Sequence, residues 1–473
     1  MTGDLVDLVG LRARTNRSEE RKRQVRRYLD AASCFPGTDG RTYSGIIDAY
    51  HGETGLAPAP NAVVALDRAW DELLHLQRPD EYRDGRLYDK RQPLILRELA
   101  ADKLFERLSR PVDGVVGVRV RPEEVVVCPY SSTVLLEEAV ATLARPGGVI
   151  VCPEGFYKSS SIHVEKFGLS IVTCPGTQDD SFRIDPVALA RCLDEVRDRL
   201  CGVLLTLPGN PVVASYSVAQ LVEIGRVLVE HNVPVICDMA FDRLVADHIP
   251  IAALSVPTAA GPRRLYDRVL TITGNSKGYN AFGPCKLGAA CSGNAEWLGE
   301  LRERLTIAFQ RETTHLVRAV LEHTTDEYFA ANRTRMRTQF DRALRCVADL
   351  NARLGMDVLR PLGSPDGMFL TVVFDRDVLD LAGVHTSAQL EDLLLAAAGI
   401  DSVALDRTGS PRLGVRLNVL APRTAPGHES ADLLDELFDR IERLVRDIDT
   451  GHTYRTVLAD RGLPALPEFA VAS

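Results

Sequence analysis

Lysine is scarce in this chain: of 56 basic residues among 473, only seven are lysines and the rest are arginines. Arginine is therefore the default cation, and a lysine in an apolar setting is a candidate for what guanidinium cannot do, namely lose a proton near neutrality and form an imine. Other absences narrow the field. There is no CxxC pair among the ten cysteines and no HExxH, which argues against a structural zinc site. No GxGxxG follows a strand-like run, so a nicotinamide dehydrogenase is disfavoured. A net charge of −9 lacks the basic face that nucleic acids require. The N-terminus has no apolar signal core, and no apolar run reaches the length of a membrane span. Cys128, Cys152 and Cys237 sit in apolar strand-like runs, where cysteine behaves as a small hydrophobe. The expectation is reduced thiols in the cytoplasm, with no metal, nucleic acid or membrane partner.

What is present is a chain with 45% hydrophobic and 26% charged residues, enough for a large core and two or three domains. The basic stretch 17 to 27, interleaved with Glu19 and Glu20, reads as a solvated amphipathic helix. From about residue 94 to 293, short wholly apolar runs alternate with helical patterns. Strands are expected at 125–128, 149–152, 169–174, 203–207, 235–238 and 269–273, with helices at 94–108, 132–144, 158–167, 186–198 and 217–231. Such alternation signals an α/β fold with a mainly parallel sheet covered by helices on both faces. After residue 295 longer helical patterns lead to a strand at 368–374, a helix near 387–398, a strand at 414–420 and a helix at 429–448, a smaller α+β domain. The expected division is 1–90 as an N-terminal arm with part of the small domain, 91–305 as the large domain, and 306–473 as the C-terminal small domain.

In such sheets ligands lie beyond the strand C-termini, and the polar residues of interest stand there. Leu207-Pro208-Gly209-Asn210-Pro211 ends one strand with an amide. Val235-Ile236-Cys237-Asp238 ends the next with a carboxylate in apolar company, which calls for a cationic or protonated partner. Lys277 follows a third strand, preceded by Ser276. Tyr130-Ser131-Ser132-Thr133 joins a strand to a helix start, where hydroxyls and free N–H groups can hold an anion. Each feature has a plainer reading, as a turn, a cap or a solvated lysine; it is their order and spacing that are specific.

From Tyr43 to about residue 450 that order resembles the fold-type I pyridoxal 5'-phosphate (PLP) enzymes, the class I/II aminotransferase superfamily. The resemblance makes Lys277 the residue that forms the Schiff base, Asp238 the partner of the pyridine nitrogen and Asn210 the partner of the ring phenolate oxygen. It gives the phosphate to Ser131, Ser132 and Thr133, with Ser276 in support. Tyr157, preferred over Phe156, would stack on the ring. Tyr88 looks like the tyrosine that reaches a neighbouring subunit's phosphate, implying a homodimer with shared active sites. Arg416, in Gly414-Val415-Arg416-Leu417-Asn418, resembles the arginine that forks onto a substrate α-carboxylate. Gly52, in Tyr50-His51-Gly52-Glu53, resembles the loop that closes over substrate. The resemblance implies reaction at the Cα of an amino acid through an external aldimine and a quinonoid.

Three positions depart from the family pattern. Phe241 stands where a tyrosine commonly donates to the phenolate oxygen, and Gly274 where serine is common. Cys285 occupies the place of the phosphate-binding arginine, with Lys286 one residue later. Either a one-residue bulge brings Lys286 to the phosphate, or the hydroxyls and a partner chain hold it. Two activities follow from the resemblance: transamination of a small amino acid with a 2-oxo acid, or a β/γ-elimination, cyclisation or carbon–carbon bond-forming reaction. The second would act on an activated amino acid such as S-adenosylmethionine, as in relatives of 1-aminocyclopropane-1-carboxylate synthases and carbon–sulfur lyases, in specialised-metabolite biosynthesis. A sensor that has lost catalysis is a third reading, opposed by the presence of Lys277, Asp238 and Asn210 together. The substrate's side chain is not written in these motifs.

Overall fold

The computed structural model describes residues 11–29, 34–75, 89, 91–111, 117–420 and 433–466. Its centre is a seven-stranded sheet. In chain order the strands are β1 (Val125–Pro129), β2 (Val149–Pro153), β3 (Ser170–Cys174), β4 (Leu200–Thr206), β5 (Val235–Asp238), β6 (Val269–Gly274) and β7 (Leu287–Cys291). They lie side by side as β1-β7-β6-β5-β4-β2-β3. The pairs between β6 and β3 are parallel, and β7 runs antiparallel to both β6 and β1. Six of these strands match the expected runs. β7 was not foreseen: its sequence, Leu-Gly-Ala-Ala-Cys, has neither alternation nor β-branched residues.

Alternate residues of the strands face opposite sides of the sheet. Val125, Val127, Val149, Val151, Val203, Leu205, Val235 and Val269 pack on one face with helices Leu94–Leu99, Pro186–Glu195, Val218–Glu230 and Arg311–His323. Val126, Cys128, Ile150, Cys152, Leu204, Ile236, Leu270 and Ile272 pack on the other with Ser132–Leu143, Ser160–Lys166 and Ala295–Arg304. Burial on both sides is why these strands read as unbroken apolar runs. Side-chain caps fix several helix starts: Asp185 accepts from Val187 N–H at 2.9 Å ahead of Pro186, and Ser217 forms a reciprocal box with Gln220. The helix expected at 94–108 is broken by a wider π turn at Ala100–Leu104.

A second core gathers around four strands, β8 (Leu359–Leu362), β9 (Phe369–Phe374), β10 (Val403–Ala404) and β11 (Gly414–Asn418), ordered β8-β9-β11-β10 and antiparallel throughout. Helices Ser387–Ala398 and Leu434–Asp449 cover it. Val25, Phe35, Ile47 and Ala49 from the start of the chain join this core, whereas Leu73 of helix Pro60–His75 joins the first. In helix Asp326–Leu354, Phe329 lies in the first core and Phe340, Ala343, Val347 and Leu350 in the second. We propose that the two units divide within that helix.

Glycine allows the sheet to close on the start of helix Ser132–Leu143. A Cβ at Gly288 on β7 would stand 2.5 Å from Ser131 O and 2.7 Å from Ser132 N, and one at Gly274 on β6 would stand 2.7 Å from Leu287 O. These are backbone atoms, which cannot swing aside. The glycine found where serine is common in the family thus has a steric reason here. Gly288→Ala is expected to cost about 1–3 kcal/mol by overpacking, read by denaturant unfolding; stability equal to the parent protein would contradict this close approach.

Candidate active site

The sheet register brings the polar strand ends together. Asp238 pairs with Thr206 of β4 on one side and Ile272 of β6 on the other. Asn210 therefore leaves β4, and Lys277 leaves β6, on either side of Asp238. Asp238 is buried; among the described residues its carboxylate accepts one hydrogen bond, from Ala240 N–H at 2.9 Å, and no ion pair reaches it. Burial pushes its carboxyl up to about 6, against the opposing pull of that N–H and of Lys277. Lys277 Nζ donates to Gly52 O at 2.7 Å. Burial lowers its pKa, Glu53 opposes this, and Lys286 and Arg416 add to it. The result is an amine biased toward its nucleophilic, neutral form.

Arg416 arrives from the second sheet. Its Nη1 donates to Asn210 Oδ1 at 2.8 Å and its Nη2 to the Tyr50 carbonyl, while its guanidinium carbon lies 4.1 Å from the centroid of Phe369. Among the described residues its Nε is buried without a hydrogen-bond partner, and burial brings its pKa down to about 10. Two residues along the same face of β11, Asn418 Nδ2 donates to His51 O at 2.8 Å and Glu53 O at 2.9 Å. Residues 50–53 are thus laced by their carbonyls to Arg416, Asn418 and Lys277, with Gly52 against the Phe369 ring. From the other side, Asn280 hydrogen-bonds Thr54 and donates to Tyr328 at 2.5 Å.

At the edge of the sheet Ser131 stands at the N-cap of Ser132–Leu143 with extended backbone (φ −171°, ψ 161°), yet its hydroxyl makes no capping bond. Ser132 is half-buried and Thr133 exposed. Tyr130, just before them, holds the left-handed conformation (φ +78°), uncommon for a residue with a side chain. The local backbone separates Cys285 from Lys286. A tight turn at Gly283–Cys285 buries Cys285 in the first core, while Lys286 O pairs with Tyr130 N–H at 3.1 Å. The Lys286 ammonium is near enough to Lys277 to depress its pKa. Asn275 holds this turn, donating to Cys285 O and accepting from Leu287 N–H, both at 2.8 Å.

Tyr157 is half-buried, its N–H donating to Thr206 Oγ1 at 3.3 Å and its phenol close enough to influence Arg416, whereas Phe156 is a core residue. Phe241 meets Phe369 edge-on at 5.2 Å, and Lys277 Nζ lies 6.0 Å from its ring centroid. Ser276 is half-buried beside Lys277. Tyr88 lies outside the described residues. Sequence reasoning missed Phe369, Asn418, Asn275 and Asn280. Only Asn418 carried a signal: it follows Arg416 by two, and alternate strand residues share a face.

A family model described as aminotransferase class I and II matches residues 74–423, and the chain belongs to that family, whose enzymes use PLP. It is similar to a probable N-succinyldiaminopimelate aminotransferase DapC of Mycobacterium tuberculosis, 32% identical over 230 residues, which is 48% of this chain and 55% of that protein. The chain thus spans little more than half the length of that relative. An aspartate aminotransferase of Bacillus sp. (strain YM-2) is 22% identical over 69% of this chain and 77% of its own length. Among solved structures, N-succinyldiaminopimelate aminotransferase from Mycobacterium tuberculosis superposes with a TM-score of 0.66 at 24% identity, covering 84% of this chain and 93% of that one. Aspartate aminotransferase from Thermus thermophilus with maleate gives 0.67 at 18% identity, covering 91% and 96%. At these identities the structures speak for the fold, which is that of the fold-type I enzymes.

The residues present fit PLP. A buried carboxylate without a cation bonded to it suits a pyridinium N–H, a half-buried amine of lowered pKa suits an aldehyde, and an uncapped helix start with three hydroxyls suits a phosphate. Asp238 also predicts a pH effect. Because its folded pKa lies above its ordinary value of 3.8, folding favours its neutral form, and stability falls as pH rises from about 4 through about 6. In protein stripped of cofactor, Asp238→Asn should therefore gain roughly 2–3 kcal/mol at pH 8 and nothing at pH 4. Equal urea midpoints for the two proteins at both pH values would contradict it.

Proposed function

We propose that this chain is a PLP-dependent aminotransferase that moves the amino group of a small amino acid to a 2-oxo acid. The observation that carries the reading is the gathering of three groups: Lys277, the buried Asp238 carboxylate on the neighbouring strand end, and the Arg416–Asn210 pair where the second sheet meets the first. When bound, PLP supplies an electron sink that weakens the bonds at the substrate Cα. The chain's residues do the rest. Asp238 holds a proton on the ring nitrogen, and Asn210 donates its amide to the ring oxygen while its Oδ1 steadies Arg416. The hydroxyls of Ser131, Ser132, Thr133 and Ser276, with the Lys286 ammonium, hold the phosphate. Tyr157 packs against the ring. Arg416 receives the substrate carboxylate, and residues 50–53, Gly52 among them, close over it and exclude water. Lys277 Nζ would bond the cofactor's aldehyde carbon and, once free, would carry the proton that leaves the substrate Cα.

Phe241 offers no hydroxyl to the ring oxygen, so Asn210 acts there without the second donor of the family pattern. The relatives named above are aminotransferases, which favours transamination over elimination, cyclisation or carbon–carbon bond formation. We further propose a homodimer. Val63, Val64, Trp70 and Leu74 are exposed on helix Pro60–His75, and Phe282 and Tyr130 are exposed at the rim of the site. A second copy is the occupant we propose for these apolar side chains, and the family resemblance gives that copy's Tyr88 a role at the phosphate. Eight of the ten cysteines are buried, and among the described residues no helix is long and apolar enough to cross a membrane. A reducing compartment suits such thiols, and we propose the cytoplasm and a biosynthetic role.

Two substitutions test this reading. Lys277→Ala should abolish the visible absorption band that PLP gives with the parent protein; an unchanged spectrum would contradict it. Arg416→Lys should weaken amino-acid affinity by about tenfold or more through loss of the bidentate fork while the band persists. Unaltered affinity in titrations would place the carboxylate elsewhere.

A further inference from the structure

The helix Leu11–Tyr28 is amphipathic, with Glu20, Arg23, Arg26 and Arg27 exposed as its charge pattern suggests, but two of its cations are not solvated. Arg21 and Lys22 are buried: Arg21 pairs with Asp392 at 3.0 Å, and Lys22 with Asp401 at 2.6 Å and Glu391 at 2.9 Å. These pairs fasten the helix to the second unit. Glu19, on the same helix, reaches the candidate active site instead. Its Oε1 accepts from the Tyr50 hydroxyl at 2.5 Å, Lys158 Nζ at 2.7 Å and Arg407 Nη1 at 3.2 Å. Lys158 also donates to the Tyr50 hydroxyl, and the Tyr50 ring lies between two ammonium groups, Lys22 Nζ at 4.0 Å and Lys158 Nζ at 4.4 Å from its centroid. The main chain of that same Tyr50 accepts from Arg416 Nη2. An unbroken line of contacts therefore runs from Glu19 through the side chain and then the carbonyl of Tyr50 to the guanidinium.

We propose that Glu19 is a positioning residue for substrate binding: by tying Tyr50 and Lys158 to the N-terminal helix, it sets how residues 50–53 lie against Arg416 and so how tightly the site holds an amino-acid carboxylate. This rests on the reading of Arg416 as the carboxylate anchor. Glu19 touches neither Arg416 nor the sheet ends, so its effect is transmitted. Lys158 follows Tyr157 directly, so the same tie steadies the segment that carries the proposed ring-stacking residue. The cluster is kept charged: although burial alone would raise it, Lys158, Tyr50 and Arg407 hold the Glu19 carboxyl down at about 2. It balances cations that would otherwise crowd Arg416, whose pKa Arg407 already lowers.

The test uses the PLP-loaded protein and 2-aminoisobutyrate, an amino acid that has no Cα proton and binds without turnover. Its dissociation constant is measured by calorimetry, alongside KM and kcat for a reactive amino acid. Glu19→Ala and Tyr50→Phe should each weaken 2-aminoisobutyrate by roughly tenfold, the size of one lost hydrogen bond to a charged group. KM should rise in parallel while kcat stays within about twofold. Glu19→Gln keeps an oxygen for the Tyr50 hydroxyl and should recover most of the affinity. Affinity within about twofold of the parent in both Glu19→Ala and Tyr50→Phe overturns the proposal. So does a fall in kcat without a change in affinity, or a Glu19→Gln protein as weak as Glu19→Ala. The underlying reading is checked separately by Arg416→Lys: if that variant binds 2-aminoisobutyrate as the parent does, Arg416 is not the anchor, whatever Glu19 does.

Discussion

A carboxylate with no cation bonded to it, buried at the end of a parallel strand, is the constraint around which this molecule is organised. Asp238 is placed by its pairing with β4 and β6, so it cannot move to water without breaking the middle of the sheet. Its one hydrogen bond, from Ala240 N–H, leaves most of the desolvation uncompensated, and the carboxyl is pushed up to about 6. A group in that state is stabilised by a proton or by a cationic partner that arrives from outside the chain. Lys277, on the adjacent strand end, is depressed in the opposite sense by the same burial. One apolar environment thus prepares both the electrostatic and the covalent contact with a single pyridine aldehyde.

The second constraint is the joint between the two sheets. Arg416 crosses it to reach Asn210, and its carbonyl partner Tyr50 comes from a segment near the N-terminus whose other end is held by Asn280, three residues beyond Lys277. Phe369 and Phe241 supply the apolar wall between them. Closure of the site is therefore a property of three distant stretches of chain, and the N-terminal helix with its buried Arg21 and Lys22 is the element that ties the outermost of them down.

Much of the first sheet was legible because its strands are buried on both faces, so that residues such as Val149 to Cys152 carry no polar interruption. The strand ends could be read for the same reason, since Asp238 stands out after Val235-Ile236-Cys237. β7 escaped notice because two of its five residues are alanines and one is Gly288, chosen for closeness to Ser131 rather than for strand propensity. The helical reading of residues 17 to 27 was right in type and, for Glu20, Arg23, Arg26 and Arg27, in exposure, but not for Arg21 and Lys22: local charge patterning cannot reveal that Asp392 and Asp401, 371 and 379 residues away, neutralise them. The role of Lys286 could not be decided from spacing, because it depends on the turn at Gly283–Cys285 that directs Cys285 into the core. Long-range pairings of this kind leave no periodic trace in a single sequence.

The account stands on the identity of one nitrogen. Incubating the protein with PLP, reducing it with borohydride and locating the labelled lysine by peptide mass mapping addresses that nitrogen directly, with Lys22, Lys158 and Lys286 as internal competitors in or beside the same site. The account predicts a single stoichiometric label on Lys277; a label confined to any other lysine, or none, would contradict it.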